Sequence, residues 1–291
     1  MLESLTLLSF NVGLLKINLL GIPLLTPAPY IEDRLKAMPG HLLALNADII
    51  ALQEIYKQKH RDYLVKALKK TYKYWTYKKT NNPIGLNNGL MFFSKHPIEE
   101  TKLTLFKNNT IDEKLFADKG ILSISIHAGD IGRVRIYNTH TTAGGVLTHP
   151  ESEKCNAIRQ QQVDQLLHMA RQDGCPSIIM GDLNAGPGVS EENYQSIVQN
   201  GFVDPAAESG DGANQEESIT WDPQNPLNAE GPHRHCPPQK VDHIFVSEPL
   251  LQKLAAARTE TVLTEPCVRK DGARFPLSDH YGQLLTLSST H

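Results

Sequence analysis

Six times along this chain a short apolar run ends on, or opens at, a side chain that can hold a proton, a hydrogen bond or a cation. Leu5 to Phe10 stops at Asn11, Asp48 to Gln53 at Glu54, and the run from Val134 delivers Asn138-Thr139-His140. Ile178-Ile179-Met180-Gly181 runs into Asp182-Leu183-Asn184, Lys240 to Val246 carries Asp242 near its start, and Asp279-His280 precedes Gly282 to Leu287. Apolar runs of this length closed by glycine or polar residues read as buried strands, and side chains two apart on an extended chain share a face. Asp182 and Asn184 therefore converge on one small object. A carboxylate beside an amide suits a polarised water or a phosphoryl oxygen, the first accepting a proton or holding a cation and the second donating a hydrogen bond. An Asp and an Asn also cap turns, so the other five sites must decide.

At 291 residues the chain can bury a substantial core, and with no linker in view it reads as one domain over residues 1–291. Its net charge of -3 gives no global attraction for nucleic acid or an anionic membrane, so any such attraction must be local. Cys155, Cys175, Cys236 and Cys267 form no C-x-x-C pair and read as free thiols. Met1-Leu2-Glu3 opens without a basic region or a cleavage site, which favours a soluble, cytoplasmic protein. The stretch from Leu14 to Leu25 is apolar but interrupted by Lys16, Asn18, Gly21 and Pro23 and too short to span a bilayer. It reads as a loop or short hairpin that presents a lipid-facing patch beside Asn11.

Between the polar endings, Ile31 to Leu45 has helical spacing, with Pro39-Gly40 expected to split it into two short helices. Asp62 to Lys70 reads as a helix and the alternation from Tyr72 to Tyr77 as a strand. Residues 57–79 are locally basic; such runs are usually solvated helix faces whose aromatics pack inward, although they also suit nucleic acid or a membrane surface. Ile121 to Ile126 and the run from Val134 to Asn138 form a hairpin around Gly129-Asp130. Ser152 to Gln172 is an amphipathic helix with Ile158, Leu166, Met169 and Ala170 on one side and Arg159, Gln162 and Asp173 among the polar neighbours. Residues 204–239, rich in Gly, Pro and Asn, read as a surface excursion, and His233-Arg234-His235-Cys236 within it as a loop rather than a zinc site. Many strands with few helices imply two packed sheets flanked by helices.

Collected at one place, Asn11, Glu54, His140, Asp182, Asn184, Asp242, Asp279 and His280 make a site of one chemical kind. Carboxylates and amides are hard oxygen ligands for Mg²⁺, which takes one or two protein carboxylates alongside substrate phosphate. Glu54 and Asn11 are the expected ligands, and Asp279 either binds metal or orients its neighbours. A base such as His280 needs an orienting acid, which Asp242 on a neighbouring strand supplies, while His140 serves from the opposite side.

The ordered set Ser9-Phe10-Asn11, Leu52-Gln53-Glu54, Asn138-Thr139-His140, Gly181-Asp182-Leu183-Asn184, Val241-Asp242-His243-Ile244-Phe245 and Ser278-Asp279-His280 resembles the endonuclease/exonuclease/phosphatase superfamily. The resemblance implies an α/β (α+β) four-layer α/β/β/α sandwich of two mainly antiparallel sheets with flanking helices. It also implies Mg²⁺ at Glu54, phosphate contacts from Asn11, Asn184 and His140, and a catalytic His280 paired with Asp242. Gln53-Glu54-Ile55-Tyr56, Phe116-Ala117-Asp118-Lys119-Gly120, Thr220-Trp221-Asp222 and Asp279-His280-Tyr281 are similar to elements of the neutral and bacterial sphingomyelinases, with a departure at His243, where an aromatic residue is usual.

The expected activity is phosphodiester hydrolysis by metal-assisted water attack, with Mg²⁺ (Mn²⁺ as a substitute) and no covalent intermediate. Asp182 and Asn184 position the water and the developing charge, and either Asp182 or His280 is the base. A phospholipid head group at a membrane surface is the favoured substrate; a nucleic-acid endonuclease and a non-catalytic binding module are the alternatives.

Overall fold

The computed structural model describes residues 4–19, 22–81, 86–144, 150, 152–207, 218–229, 231, 233–268 and 271–289, with the backbone alone at 17–19, 22–25, 112 and 116. The chain starts with β1 (Ser4–Asn11), the small hairpin β2 (Ile17–Leu19) and β3 (Ile22–Leu25), α1 (Ile31–Leu45) and β4 (Ile49–Gln53). It continues with α2 (Gln58–Leu68), β5 (Tyr74–Thr76), β6 (Met91–Ser94), β7 (Glu100–Leu105), α3 (Ile111–Phe116), β8 (Gly120–His127) and β9 (Arg133–His140). Then follow α4 (Glu153–Asp173), β10 (Ser177–Asp182), α5 (Glu191–Val198), β11 (Phe202–Val203), β12 (Asp242–Ser247), α6 (Glu248–Leu251), β13 (Leu254–Val262), β14 (Cys267–Val268), β15 (Arg274–Phe275) and β16 (Gly282–Ser289).

One six-stranded sheet has the order β13-β16-β1-β4-β6-β5 and the other β11-β12-β10-β9-β8-β7. Each contains one parallel pair, β1 with β4 and β9 with β10; the neighbouring pairings are antiparallel.

Three apolar clusters fill the gaps between four layers. Along β1, Leu5 and Leu7 face the other sheet while Leu8 and Phe10 face α1 and α2, and along β4 Ile49 and Ala51 alternate with Ile50 and Leu52 in the same way. On β10, Ile178 and Met180 point between the sheets and Ile179 toward α4 and α5, where Leu166, Leu167 and Ile197 meet it. These strands are buried on both faces, which is why they read as continuous apolar runs. The result is the α/β/β/α sandwich.

The structure departs from the sequence reading at several places. Pro39 does not split α1, which is continuous over Ile31–Leu45. A proline inside a helix costs about 3 kcal/mol, but here it lies on the buried stripe with Leu35, Met38 and Leu42, and burying such side chains stabilises by about 1.5–3 kcal/mol each. Helix α2 starts at Gln58, before Asp62. On α4, Arg159 and Gln162 are buried with Cys155, Val163 and Leu166: Arg159 donates to Thr142 O (3.0 Å) and Gln162 Oε1 accepts from Thr142 N (2.8 Å), so both face the sheet as tethers. Of the aromatics at 72–77, Tyr72 is buried as expected, but Tyr74 and Trp75 are exposed because β5 is a three-residue edge strand.

Leu14 is buried in the core beneath α1, against the expectation of a patch over the whole Leu14 to Leu25 stretch. The side chains of residues 17–25 lie outside the described residues, and the expected exposure of that hairpin with them. All four cysteines are free. Among the described residues no helix is long and apolar enough to cross a membrane.

Candidate active site

Strand direction gathers the polar endings at one end of both sheets. Parallel pairing of β1 with β4 sends Asn11 and Glu54 out together, and parallel pairing of β9 with β10 sets His140 opposite Asp182. Antiparallel β12 begins where β10 stops, with Asp242 opposite Asp182, and β16 begins beside the exit of β1, so Asp279-His280 arrives there too.

The two sheets are joined through this end. Asn11 Nδ2 donates to Asp182 Oδ2 at 2.9 Å, and Asn11 Oδ1 accepts from Gly13 N at 3.0 Å. Below them Gln53 Nε2 donates to Asn138 Oδ1 at 2.8 Å, and Asn138 Nδ2 returns a bond to Leu52 O at 3.0 Å. His280 Nδ1 donates to Asp242 Oδ2 at 2.8 Å, which turns Nε2 toward Asp182 Oδ2, 3.9 Å away. His140 Nε2 reaches the same oxygen at 3.5 Å. Asp182, Asp242 and His280 bring one ligand atom each within 4.8 Å of one another. Asn184 N donates to Asp182 Oδ1 at 2.9 Å, and Asn184 Nδ2 contacts Thr141 O at 3.3 Å.

Two of these residues hold left-handed backbone, Glu54 at φ 65° and Asn184 at φ 48°. Such non-glycine positions cost about 1–3 kcal/mol and persist where the surroundings fix them; at Glu54 the flanking bonds from Val12 N to Gln53 O and from Ile55 N to Gly89 O do so. Gly181 is required for close approach, since a Cβ there would lie 1.9 Å from Thr139 O.

Several residues that hold the site escaped the sequence reading as site residues. Arg34, fully buried on α1, donates to Val12 O, Gly13 O and Leu277 O and so clamps the loops that carry Asn11 and Asp279. Glu113 on α3 pairs with Lys119 at 3.1 Å and accepts from Thr142 Oγ1 and Ala143 N, and Lys119 Nζ donates to Thr141 O at 2.6 Å. The described part of 204–239 is not only surface. Thr220 Oγ1 accepts from the backbone of Val241 and Asp242, while Asn225 and Asn228 donate to Ser278 O and Asp279 O. The departure at His243 is structural: Nδ1 donates to Asp204 Oδ2 (3.0 Å), and the ring stacks on Phe245 at the core beneath α5. Among the described residues His233, His235 and Cys236 form no metal-ligating group.

The sequence model of the Endonuclease/Exonuclease/phosphatase family matches residues 8–280. The chain belongs to that family. Relatives include Sphingomyelinase C 2 of Leptospira interrogans, 24% identical over 251 residues, which are 77% of this chain and 38% of that protein. The inositol phosphosphingolipids phospholipase C of Saccharomyces cerevisiae is 32% identical over 146 residues, covering 48% of this chain and 30% of that protein. The chain spans 60% or less of the length of the curated relatives it matches. In fold it is similar to SmcL, with a TM-score of 0.78, 20% identity and coverage of 98% of this chain and 99% of that one. It is likewise similar to a Staphylococcus aureus beta toxin crystallised with bound magnesium ions, with a TM-score of 0.76, 22% identity and coverage of 99% and 100%.

Within this family member the site is electrostatically divided. Lost hydration, reinforced by the negative charge of Asp279, raises the half-buried Glu54 carboxyl to about 7. His140 is pushed down to about 3 by burial and by the charge of Lys119, and is a neutral donor at pH 7. Burial alone would depress His280, but Asp242, Asp182 and Asp279 together raise its proton affinity well above the ordinary value. Burial would raise Asp182; the imidazoles of His140 and His280, with the Asn184 N–H and the Asn11 amide, bring it below the usual range. Asp242 is raised by burial, with His280 opposing.

Proposed function

We propose that residues 1–291 act as one domain that hydrolyses a phosphodiester by direct attack of water, with a phospholipid head group of the sphingomyelinase type as substrate and Mg²⁺ as cofactor, Mn²⁺ substituting. The observation that carries this reading is His280 fixed between Asp242 (2.8 Å) and Asp182 (3.9 Å), across from the Glu54 and Asp279 carboxylates.

The donor set fits a hard divalent cation. The Glu54 carboxylate has no hydrogen-bond partner among the described residues, and the negative charge of Asp279 opposes its ionisation. Glu54 and Asp279 would hold such a cation, which would relieve that repulsion, and the second lone pair of Asn11 Oδ1 would add an oxygen donor. When bound there, Mg²⁺ neutralises charge on a phosphate oxygen. The magnesium ions of the beta toxin structure support the choice of metal.

The chain's own groups do the rest. With the cation bound, its positive charge would offset the surrounding carboxylates and favour neutral His280, whose Nε2 takes a proton from water as the water oxygen attacks phosphorus; the imidazolium so formed lies between two carboxylates that stabilise it. Asn184 and Asp182 position that water and the developing charge. His140, neutral, gives an N–H to a phosphate oxygen, and the charge of Lys119 nearby helps to keep it neutral. The P–O bond to the leaving group breaks as the new P–O bond forms; the leaving oxygen takes a proton from solvent, and His280 returns to solvent the proton it took from the attacking water.

The test is hydrolysis of sphingomyelin vesicles and of supercoiled plasmid, side by side in Mg²⁺ or EDTA, with wild type and His280→Ala. Lipid cleavage requiring both Mg²⁺ and His280 supports the proposal. Plasmid nicking with the same dependence moves the chain to nucleic acid and overturns the substrate.

A further inference from the structure

The two helices that cover the first sheet start at the same end of the molecule. Parallel β1 and β4 leave the sheet there; α1 ends where β4 is about to begin, so it starts at the opposite end, and α2 follows β4 directly after Glu54 to Lys57. The two first turns line a cavity of about 450 Å³, with Tyr30 to Asp33 on the α1 side, Lys57, Lys59 and His60 on the α2 side, and Lys16 and Thr26 from the connection between β1 and α1. Arg34 fixes the α1 side. It donates to Pro29 O at 2.9 Å and Ala28 O at 3.1 Å with the same guanidinium that holds Val12 O and Gly13 O.

Three features of this cavity favour an anion. Neither helix has a side-chain cap: Tyr30 and Lys57 occupy the N-cap positions, and neither side chain bonds to an amide of the first turn. The positive ends of helices of 15 and 11 residues therefore open on one space.

The second feature is crowded positive charge. Burial and the like charges of Lys59 and Lys16 hold the Lys57 ammonium below its ordinary range, with Glu32 offsetting part of the effect. Of the two carboxylates in the lining, Glu32 is paired with Lys59 at 2.8 Å on the surface and Asp33 is itself engaged. Lys16 and Lys57 form no ion pair among the described residues.

His60 is the third. It is 1% exposed, it lines the cavity from the first turn of α2, and neither Nδ1 nor Nε2 has a partner among the described residues. Buried polar atoms are nearly always satisfied, and an imidazole can give an N–H to a ligand oxygen.

We propose that this cavity is a binding site for a phosphate monoester, separate from the hydrolytic cluster. The phosphate oxygens accept from the Lys16 and Lys57 ammonium groups, from His60 and from first-turn amides of α1 and α2. A dianion with three terminal oxygens matches donors arriving from several elements. The cavity is larger than a bare phosphate and in the range of small-molecule pockets, so it also takes the group that carries the phosphate, beside Tyr30 and Thr26. That carrier is a soluble metabolite or a lipid; both present the same head group. Asp182, Asp242 and His280 meet between the two sheets, whereas this cavity lies on the helical side of the first sheet and shares none of those residues.

The experiment records NMR spectra of the isotope-labelled chain in EDTA as inorganic phosphate, glycerol 3-phosphate or soluble dihexanoyl phosphatidic acid is added at constant ionic strength. Three proteins are compared: wild type, K16M/K57M and H60L. In wild type each probe saturably shifts the His60 imidazole and the first-turn amides of both helices. K16M/K57M, which keeps the aliphatic stems, weakens binding about tenfold or more, and H60L weakens it severalfold. Resonances of the remaining histidines report that each variant is folded. Tighter binding of the phosphatidic acid than of glycerol 3-phosphate assigns a lipid to the site, and equal or weaker binding a soluble ester; either outcome supports it. Shifts confined to His140 and His280 place the phosphate in the hydrolytic cluster and overturn the site. So does an unmoved His60, or an affinity that both variants leave unchanged. Binding is read without metal or turnover, so the result is independent of the proposed hydrolysis.

Discussion

Asn11 and Asp182 stand on different sheets, 171 residues apart, and share a hydrogen bond of 2.9 Å. The amide fills one lone pair of the carboxylate that two histidines also face, so it joins the sheets and sets the orientation of Asp182 in one contact.

Asn11→Leu keeps the volume and removes the donor and acceptor. A buried carboxylate that loses its partner costs about 1–3 kcal/mol, so urea unfolding should shift by that amount while hydrolysis falls by about 100-fold or more. Full activity with the expected loss of stability would limit Asn11 to a structural role.

Asp242→Asn preserves shape and takes away the charge that orients His280. On the proposed chemistry kcat falls by about 10²- to 10⁴-fold with KM nearly unchanged, because the pairing strengthens as the imidazole takes its proton. Steady-state kinetics on a soluble ester separates the two parameters, and a change confined to KM would argue against this role.

Gly13 cannot accept a side chain. Its φ is +55°, and a Cβ would lie 1.9 Å from Asp279 Oδ1. Gly13→Ala should push Asp279 aside and raise the Mg²⁺ concentration for half-maximal rate by about 10- to 100-fold. Metal titration of activity, with tryptophan fluorescence as a check on folding, measures it.

His60 is buried on α2 with neither ring nitrogen partnered among the described residues, and burial together with the charge of Lys59 lowers it to about 4. The folded value lies below the unfolded one, so the unfolded chain binds the extra proton. Stability is therefore full above the unfolded value near 6.5 and is lost as pH falls toward about 4, by up to about 2 kcal/mol at pH 5. Urea midpoints between pH 7 and pH 5 should show that loss in wild type and a smaller one in His60→Leu; identical slopes would exclude His60 as its source.

The layered fold was legible because β1, β4 and β10 are apolar on both faces and end on polar residues that need partners of their own. Asn11, Glu54, His140, Asp182, Asp242 and His280 could be picked out for the same reason, and the structure gathers them. The supports could not be read. Arg34 acts on Leu277 O, 243 residues away, and Asn228 on Asp279 O, and nothing in the local sequence encodes such partners. Arg159 and Gln162 were placed with the polar neighbours because helical periodicity grades residues by polarity, whereas their burial follows from unpaired backbone groups at Thr142. Trp75 shows a further limit: alternation fixes a strand, but only sheet order reveals that the strand lies at an edge.

The pairing of β16 with β1, with Gln283 opposite Ser9, also bears on the chain during its synthesis. A ribosome-bound product that has passed Asp182 already owns the first sheet's inner strands and most of the second sheet, yet His280 and Asp279 are still unmade and β1 lacks its outer neighbour. On the proposed chemistry every fragment that stops before Asp279 is hydrolytically silent, so the activity arrives only with the last few residues that bring β16 to β1.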